Sequence, residues 1–579
     1  MYRPLAPRGA LAALPALTLV LAGAAGWSSA GVSYASETPH GGVKPAAAGA
    51  SLPYDEYRAA DQQTNGTVLS ASTTYPSLAS ESNGRSAVQL TSTGQYVEFT
   101  LAHAANSIVV RYSIPDNSDG STATAPLAVY AGDTHVKDLS LTTKYSWLYG
   151  DGYNDTHSPS SGDAHHFYDE ARVMIGDQPA GTVIKLQKDA ADTAASYTID
   201  TVDTEQVAAA ATMPSGYASV TDYGVTPDSG ADDTSAINSA LASLSGTGKG
   251  LWFPAGTYDI SGQISLQNVS VSGAGEWYST IQSTAENGSG GLYATGGTNK
   301  ISDLSIFGDQ TSRNNNSGAA GIEGVFASGS AISNVWIEHT KVGVWTDAGT
   351  SGLDVSGVRA RDIFADGIHF NGGTTNSTVE QSDVRNTGDD GLALDTEGGD
   401  VTGCTLSDNT VQDPIQANGI GVYGGGGNTV TGNAVSDVVA YGAGITVSTR
   451  FGAGFDGTTT VSDNTLTRTG SYNSELGTNL GGLWIYADQS DITQPVDVTG
   501  NTITDSTYQG IMVSGTKSVT ALTLDKDTVD GAGTYGIDIE GVGGSLSATN
   551  TAVSNAASGG LNNAGNNFTV NSGSGDTGF

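Results

Sequence analysis

From residue 213 onward, apolar positions recur in short steps rather than along helical arcs. Each step is a glycine followed by a branched apolar residue: Gly343-Val344, Gly367-Ile368, Gly391-Leu392, Gly419-Ile420, Gly444-Ile445, Gly482-Leu483, Gly510-Ile511, Gly536-Ile537 and Gly560-Leu561. The intervals between them are 24, 24, 28, 25, 38, 28, 26 and 24 residues. A period in this range marks a solenoid whose coils bury their apolar positions on one another. Asp408-Asn409-Thr410, Gly432-Asn433 and Asp463-Asn464-Thr465 suit left-handed corners and stacked amides between coils. The long interval, Gly444 to Gly482, holds an insertion with Phe451 and Phe455, and insertions in solenoids collect on the binding face. Near the start, Asp233 or Thr234 can cap a short helix with Ile237, Ala240, Leu241 and Leu244 on one face. Such a helix would plug the open end of the stack. Between residues 53 and 207 the alternation has period two instead, as at 86–90, 96–100 and 107–112, which predicts a β-sandwich of jelly-roll type. The expected class is therefore all-β, a sandwich over 53–207 followed by a parallel β-helix over 213–579.

The N-terminus adds a different pattern. Arg3 and Arg8 precede an apolar run over 11–25, and Ser28-Ser29-Ala30 follows. This predicts a signal peptide over 1–30, too short in its apolar part for a stable membrane span. An Ala/Gly/Pro-rich stretch, 31–52, reads as a flexible lead-in. The expected location is extracellular, by secretion, with no membrane partner. Lys and Arg number 22 against 59 Asp and Glu, a formal charge of -37, which argues against binding nucleic acid or anionic lipid. Cys404 is the only cysteine, so an intramolecular disulfide and a cysteine-ligated zinc cluster are excluded, and it is expected in the core.

Candidate chemistry concentrates in residues 364–395. Asp366-Gly367-Ile368 and Asp390-Gly391-Leu392 align at 24 residues. One coil apart, Asp366 and Asp390 become vertical neighbours at roughly 4.8 Å, with Asp389 beside them. Three carboxylates with no nearby basic run conflict with local stability, as expected at a functional site. Glycosidic cleavage needs a protonated carboxyl at the leaving oxygen and a carboxylate on the opposite face. Asp389, displaced by one residue, is the natural acid, and Asp366 and Asp390 could hold a water between them. Inversion follows if acid and base stand roughly 6.5–9.5 Å apart. His369, Tyr423, Tyr441, Trp484 and Tyr486 are candidate substrate-binding residues, the aromatic ones as sugar platforms. An Asp-Gly turn ladder or a calcium site would give the same letters. No cofactor is required, and structural calcium stays possible. Arg361 and Arg385 flank the triad along the chain and suit salt bridges. In the sandwich, Tyr145, Trp147, Tyr149, Phe167 and Tyr168 could stack on sugars or simply pack.

Resemblances sharpen this picture. Residues 54–61, 64–67 and 94–99 resemble the opening of carbohydrate-binding modules of families 35 and 6, with Arg58 and Ala60 where those modules carry calcium-binding acids. Residues 220–224, 232–237 and 251–258 resemble the opener of the pectate-lyase-like superfamily, which implies a right-handed β-helix. Gly388-Asp389-Asp390-Gly391 is similar to polygalacturonases, but Gly419-Ile420-Gly421 and Gly444-Ile445-Thr446 stand where those enzymes carry basic motifs, which makes a galacturonate substrate improbable. The closer resemblance is to glycoside hydrolase family 87, bacterial α-1,3-glucanases and mycodextranases, in the sandwich placed before the helix and in the segments FADGIHF and GDDGLALD. It covers 53 to the C-terminus. It implies endo-hydrolysis of α-1,3-glucan (fungal cell-wall glucan or mutan) with inversion, Asp389 as acid and Asp366 and Asp390 as bases. The expected partner is that polysaccharide, and the expected state a monomer. A dextranase-like hydrolase, a β-helix polysaccharide lyase and a non-catalytic glycan-binding protein are the alternatives.

Overall fold

The glycine steps mark one face of a three-faced coil. In the computed structural model, which describes residues 48–579 except 151, 153, 316 and 317, a parallel β-helix is built from a 24-stranded and a 12-stranded sheet. Each coil gives two strands to the first sheet and one to the second. The register of the 12-stranded sheet pairs Val344 with Ile368, Ile368 with Leu392, Leu392 with Ile420, Ile420 with Ile445 and Ile445 with Leu483. These are the successive glycine steps of the sequence. Their apolar residues point inward and join Val384, Val411, Val435 and Cys404 in one buried core. Each fully buried aliphatic side chain contributes about 1.5–3 kcal/mol, which holds the stack together without disulfides. The signal segment and most of the lead-in, residues 1–47, lie outside the described residues. The end of the lead-in is held, since Gly49 and Ala50 donate to Gly432 and Thr410.

The corners and the end of the stack behave as their sequence requires. Asp408, Gly432 and Asp463 adopt positive φ, and the amides that follow form a buried ladder running Asn409, Asn433, Asn464, Asn501 and Asp527. Helix Thr234–Leu244 buries Ile237, Ala240, Leu241 and Leu244 against the first coils. Its capping oxygen belongs to Asp232 rather than Asp233 or Thr234: Asp232 Oδ1 accepts from the Thr234 amide at 3.1 Å. No described helix is long and apolar enough to cross a membrane.

The sandwich consists of a six-stranded and a five-stranded antiparallel sheet closed over Val97, Ile108, Leu127, Val129, Ile184 and Ile199. It lies along the 24-stranded sheet. Arg361 and Arg385, adjacent to the triad in sequence, point to this seam and not to the triad. Arg361 pairs with Glu170 and Asp203, both at 2.9 Å, and with Asp383; Arg385 pairs with Glu170 and Asp203 at 2.6 Å and with Glu56 at 2.9 Å. The aromatic residues offered as sugar platforms on the sandwich are packing residues. Tyr149, Phe167 and Tyr168 are buried, Trp147 meets Phe167 edge-on, and Tyr145 stacks on His339 with ring centroids 3.6 Å apart.

Candidate active site

The triad is assembled by backbone ladders before any side chain acts. The Gly343 amide donates to the Asp366 carbonyl, Gly367 to Asp390, and Gly391 to Asn418, all within 3.1 Å. A Cβ on Gly391 would run into the Val411 side chain and the Gly419 carbonyl, so the tight Asp-Gly corner excludes any side chain there. Asp366, Asp389 and Asp390 each bring one carboxylate oxygen to within 4.8 Å of the other two. This is the nearest approach, and it is closer than the separation anticipated between acid and base.

Each carboxyl has a distinct environment. Asp390 is 2% exposed; its Oδ1 accepts from the Asn418 backbone and side-chain amides at 2.8 and 2.9 Å, and its Oδ2 from the Tyr423 hydroxyl at 2.6 Å. Burial, then the charges of Asp389 and Asp366, raise its pKa to about 7, against the pull of Tyr423 and Asn418. Asp366 is bonded to His369 Nδ1 at 3.1 Å. Burial opposes charging the imidazole, but Asp366 outweighs it and lifts the His369 pKa above its usual value. Asp389 Oδ1 accepts from the Asp390 amide at 3.1 Å, and its Oδ2 pairs with Arg313.

Basic groups do reach the triad. Arg313 comes from a loop three coils before Asp389, pairs with Asp389 and donates to the Gly388 carbonyl at 2.5 Å. Lys341 is 2% exposed beside it; burial, then Arg313, lower its pKa to about 8, while Asp366 and Asp389 pull the other way. Arg313 lies in a loop outside the repeat and carries no sequence signal, whereas Lys341 stands two residues before Gly343 as Asp389 stands before Gly391, in the same backbone ladder two coils earlier. Asn418 carries a signal as well: it precedes Gly419 as Asp366 and Asp390 precede Gly367 and Gly391.

A cleft of about 390 Å³ opens over this cluster, with Asp389, Tyr423, Tyr441, Phe451, Glu475 and Trp484 in its wall. Asp366 and Asp390 are not part of that wall, and of the three Asp390 is the most buried. The long coil delivers Phe451 and Glu475, and the Arg450–Glu475 pair at 3.2 Å ties its two loops together. Tyr423 is 6% exposed with its hydroxyl on Asp390, so it positions that carboxylate while only its ring edge meets Phe451. Tyr441 packs edge-on against Tyr75 of the sandwich. Trp484 is fixed by its Nε1 donating to Ser514 Oγ at 2.8 Å, and Tyr486 stacks behind it at 4.4 Å. The sandwich completes the wall through Gly152, whose amide donates to Asp155 Oδ1 at 2.8 Å.

A carboxylate cluster at the foot of an aromatic-walled cleft on a parallel β-helix defines a polysaccharide-cleaving β-helix enzyme. Residues 51–207 and 231–576 match, respectively, the models for domains D1 and D2 of the alpha-1,3-glucanase catalytic region. The chain belongs to the alpha-1,3-glucanases of glycoside hydrolase family 87, and it is a glycoside hydrolase. It is similar to the catalytic unit of a thermostable alpha-1,3-glucanase from Streptomyces thermodiastaticus strain HF3-3, at 36% identity and TM-score 0.84, over 92% of this chain and 98% of that one. A family 87 catalytic domain solved in complex with nigerose is 27% identical, at TM-score 0.82, over 91% of this chain and 99% of that one. An aspartate-to-alanine form of a family 87 catalytic domain, in complex with tetrasaccharides, matches at 27% identity and TM-score 0.82, over 91% of this chain and 100% of that one. No curated protein sequence matches the chain.

Proposed function

We propose that this protein is a secreted, endo-acting enzyme that hydrolyses α-1,3-glucan, such as fungal cell-wall glucan or mutan, with inversion. Asp389 is the general acid, and Asp366 and Asp390 hold and activate the attacking water. The observation that carries the assignment of the triad is the convergence of the three carboxyls with Asp389 lining the cleft. Inversion is supported by the family resemblance and not by the oxygen separation, which is shorter than the roughly 6.5–9.5 Å of an inverting pair. Three aspartates replaced singly by alanine in family 87 structures stand at the same intervals along that chain as Asp366, Asp389 and Asp390 do here, which supports the same reading. The nigerose and tetrasaccharide complexes of those relatives support an α-linked glucose oligomer as occupant of the cleft. The segment over 1–30 supports secretion. Arg313 and Lys341 offset the cluster's charge, so hydrolysis needs no metal at the triad.

The raised pKa of Asp390 favours a second reading in which Asp390 donates the proton. Access weighs against it, because a donor must reach the glycosidic oxygen and Asp390 is 2% exposed beneath Tyr423. A glycosyl fluoride of nigerose separates the two, since fluoride leaves without a proton donor. Asp389→Asn is expected to lose glucan hydrolysis while keeping fluoride cleavage, and Asp366→Asn to lose both. Retention of fluoride cleavage by Asp390→Asn instead would transfer the acid role. Proton NMR of the first product is expected to show the β-anomer, and an α-anomer first would reject inversion.

A further inference from the structure

The seam between sandwich and β-helix contains a carboxylate cluster that its arginines serve only in part. Glu170, Glu338 and Asp362 each bring one oxygen to within 4.8 Å of the other two, and Asp169, His339 and Asp362 do the same. The residues come from both domains: Asp169 and Glu170 from a sandwich strand, Glu338, His339 and Asp362 from two successive coils. Within the second set, Asp169 Oδ1 and His339 Nε2 satisfy each other at 2.8 Å. In the first set Glu170 is paired with Arg361 and Arg385, and the other two carboxylates are not. Glu338 is 5% exposed, with His339 and Arg172 as the positive charges that face it and no bond of its carboxylate to either. Asp362 is fully buried; Asn386 donates to its Oδ1, and its Oδ2 has no partner. Arg361 and Arg385 are already shared among Glu56, Glu170, Asp203 and Asp383. A buried carboxylate without a partner is costly, and three converging on one point cost more.

We propose that Glu338, Asp362 and Glu170 form a binding site for one hard divalent cation, of the calcium or magnesium class, that fastens the sandwich to the β-helix. Oxygens this close can converge on an ion at the roughly 2.3–2.6 Å of calcium coordination, and hard cations take carboxylates and water in preference to imidazole. A cavity of about 290 Å³, lined by Asp169, Glu170, Arg172 and His339, comes up to the cluster on its Glu170 side and offers an entry path. The site is distinct from the aspartate triad and from the Arg58–Ala60 position in the sandwich. It acts on the union of the two domains and not on the chemistry, because none of its residues lines the catalytic cleft.

The test uses the full chain, stripped with chelator and dialysed against calcium, magnesium or zinc. Calcium counting by equilibrium dialysis is expected to give one ion per chain, and Glu338→Gln, which keeps the shape of the side chain, to give none. With saturating calcium the thermal midpoint of the stripped protein should rise by about 3 °C or more. Glu338→Gln, without calcium, should melt no lower than the stripped wild type and should not respond to the ion. Asp362→Asn is expected to behave alike. An ion count that Glu338→Gln leaves unchanged would put the ion elsewhere and overturn the proposal. So would a wild type that binds neither calcium nor magnesium, with protons alone neutralising the cluster, or one that binds only zinc.

Discussion

Tyr423 shows how one side chain tunes the proposed chemistry. Its hydroxyl donates to Asp390 Oδ2 and favours the ionised carboxylate that an activated water requires. Tyr423→Phe removes one hydrogen bond to a charged group, worth about 1.5–3 kcal/mol, and leaves the Asn418 donors in place. The expected result is a fall of about tenfold or more in kcat at neutral pH, with the acidic limb of the pH–rate profile moved upward. An unchanged limb would mean that Asp390 does not act as a base. At this scale the sequence discloses what repeats with the coil. Asp366, Asp390 and Asn418 precede successive glycine steps, and Asp389 is tied to Asp390. Arg313 stays hidden because a loop outside the repeat brings it in, whereas Lys341 shares the coil position of Asp389, two residues before a glycine step, so its place near the triad is legible in the spacing. Tyr423 is visible as an aromatic residue, but only the structure shows its hydroxyl turned to Asp390.

Elements explain which patterns could be trusted. The register of the 12-stranded sheet follows the glycine steps because each glycine lets one coil approach the next, and an apolar residue must then fill the interior. The amide ladder is legible for the same reason: a left-handed corner with an asparagine after it recurs once per coil. Asn433→Ala would leave the buried Asn409 backbone amide without its acceptor, and would remove one of the two Asn433 donors to Asn464 Oδ1 and the bond to the Leu406 carbonyl. A loss of about 1–3 kcal/mol in denaturant unfolding is expected, with catalytic constants unchanged in the folded fraction. A neutral substitution would show that the ladder is incidental. Period-two alternation, by contrast, separates the inner from the outer face of the sandwich but does not say what covers the outer one. That is why Tyr145 and Trp147 read equally well as platforms, while Tyr145 stacks on His339 across the seam and Trp147 packs on Phe167 within the sandwich. Likewise Arg361 and Arg385, adjacent to the triad in sequence, lie on another face of the coil.

For the whole molecule, buried carboxyls set the response to pH. Glu56, Glu81 and Asp390 are raised to about 7 and Glu338 to about 6, burial being the largest cause in each. Such groups bind more protons folded than unfolded, so the stability they give at low pH is lost as pH rises from about 4 through 7. Groups with lowered pKa act in the opposite sense, losing stability as pH falls from 6.5 to about 3 for His166 and from 4.5 to about 2 for Glu170. Burial holds His166 down at about 3, and Arg361 and Arg385 bring Glu170 to about 2 despite burial. The thermal midpoint in chelator is therefore expected to be highest near pH 5 and several degrees lower at pH 8. Equal midpoints would mean that the buried carboxyls are ionised and partnered throughout. The sandwich contributes to the whole by closing one wall of the cleft, through Gly152 and the Tyr75–Gln416 contact at 2.9 Å.

The central claim is that the Asp366, Asp389 and Asp390 cluster cleaves α-1,3-linked glucan. New reducing ends would be measured from insoluble α-1,3-glucan beside dextran, starch, β-1,3-glucan and polygalacturonate, with the wild type and Asp389→Asn. Cleavage confined to α-1,3-glucan, and reduced about a thousandfold or more in the variant, is the expected result. Equal activity of the variant, or cleavage of another polymer in place of α-1,3-glucan, would contradict the account.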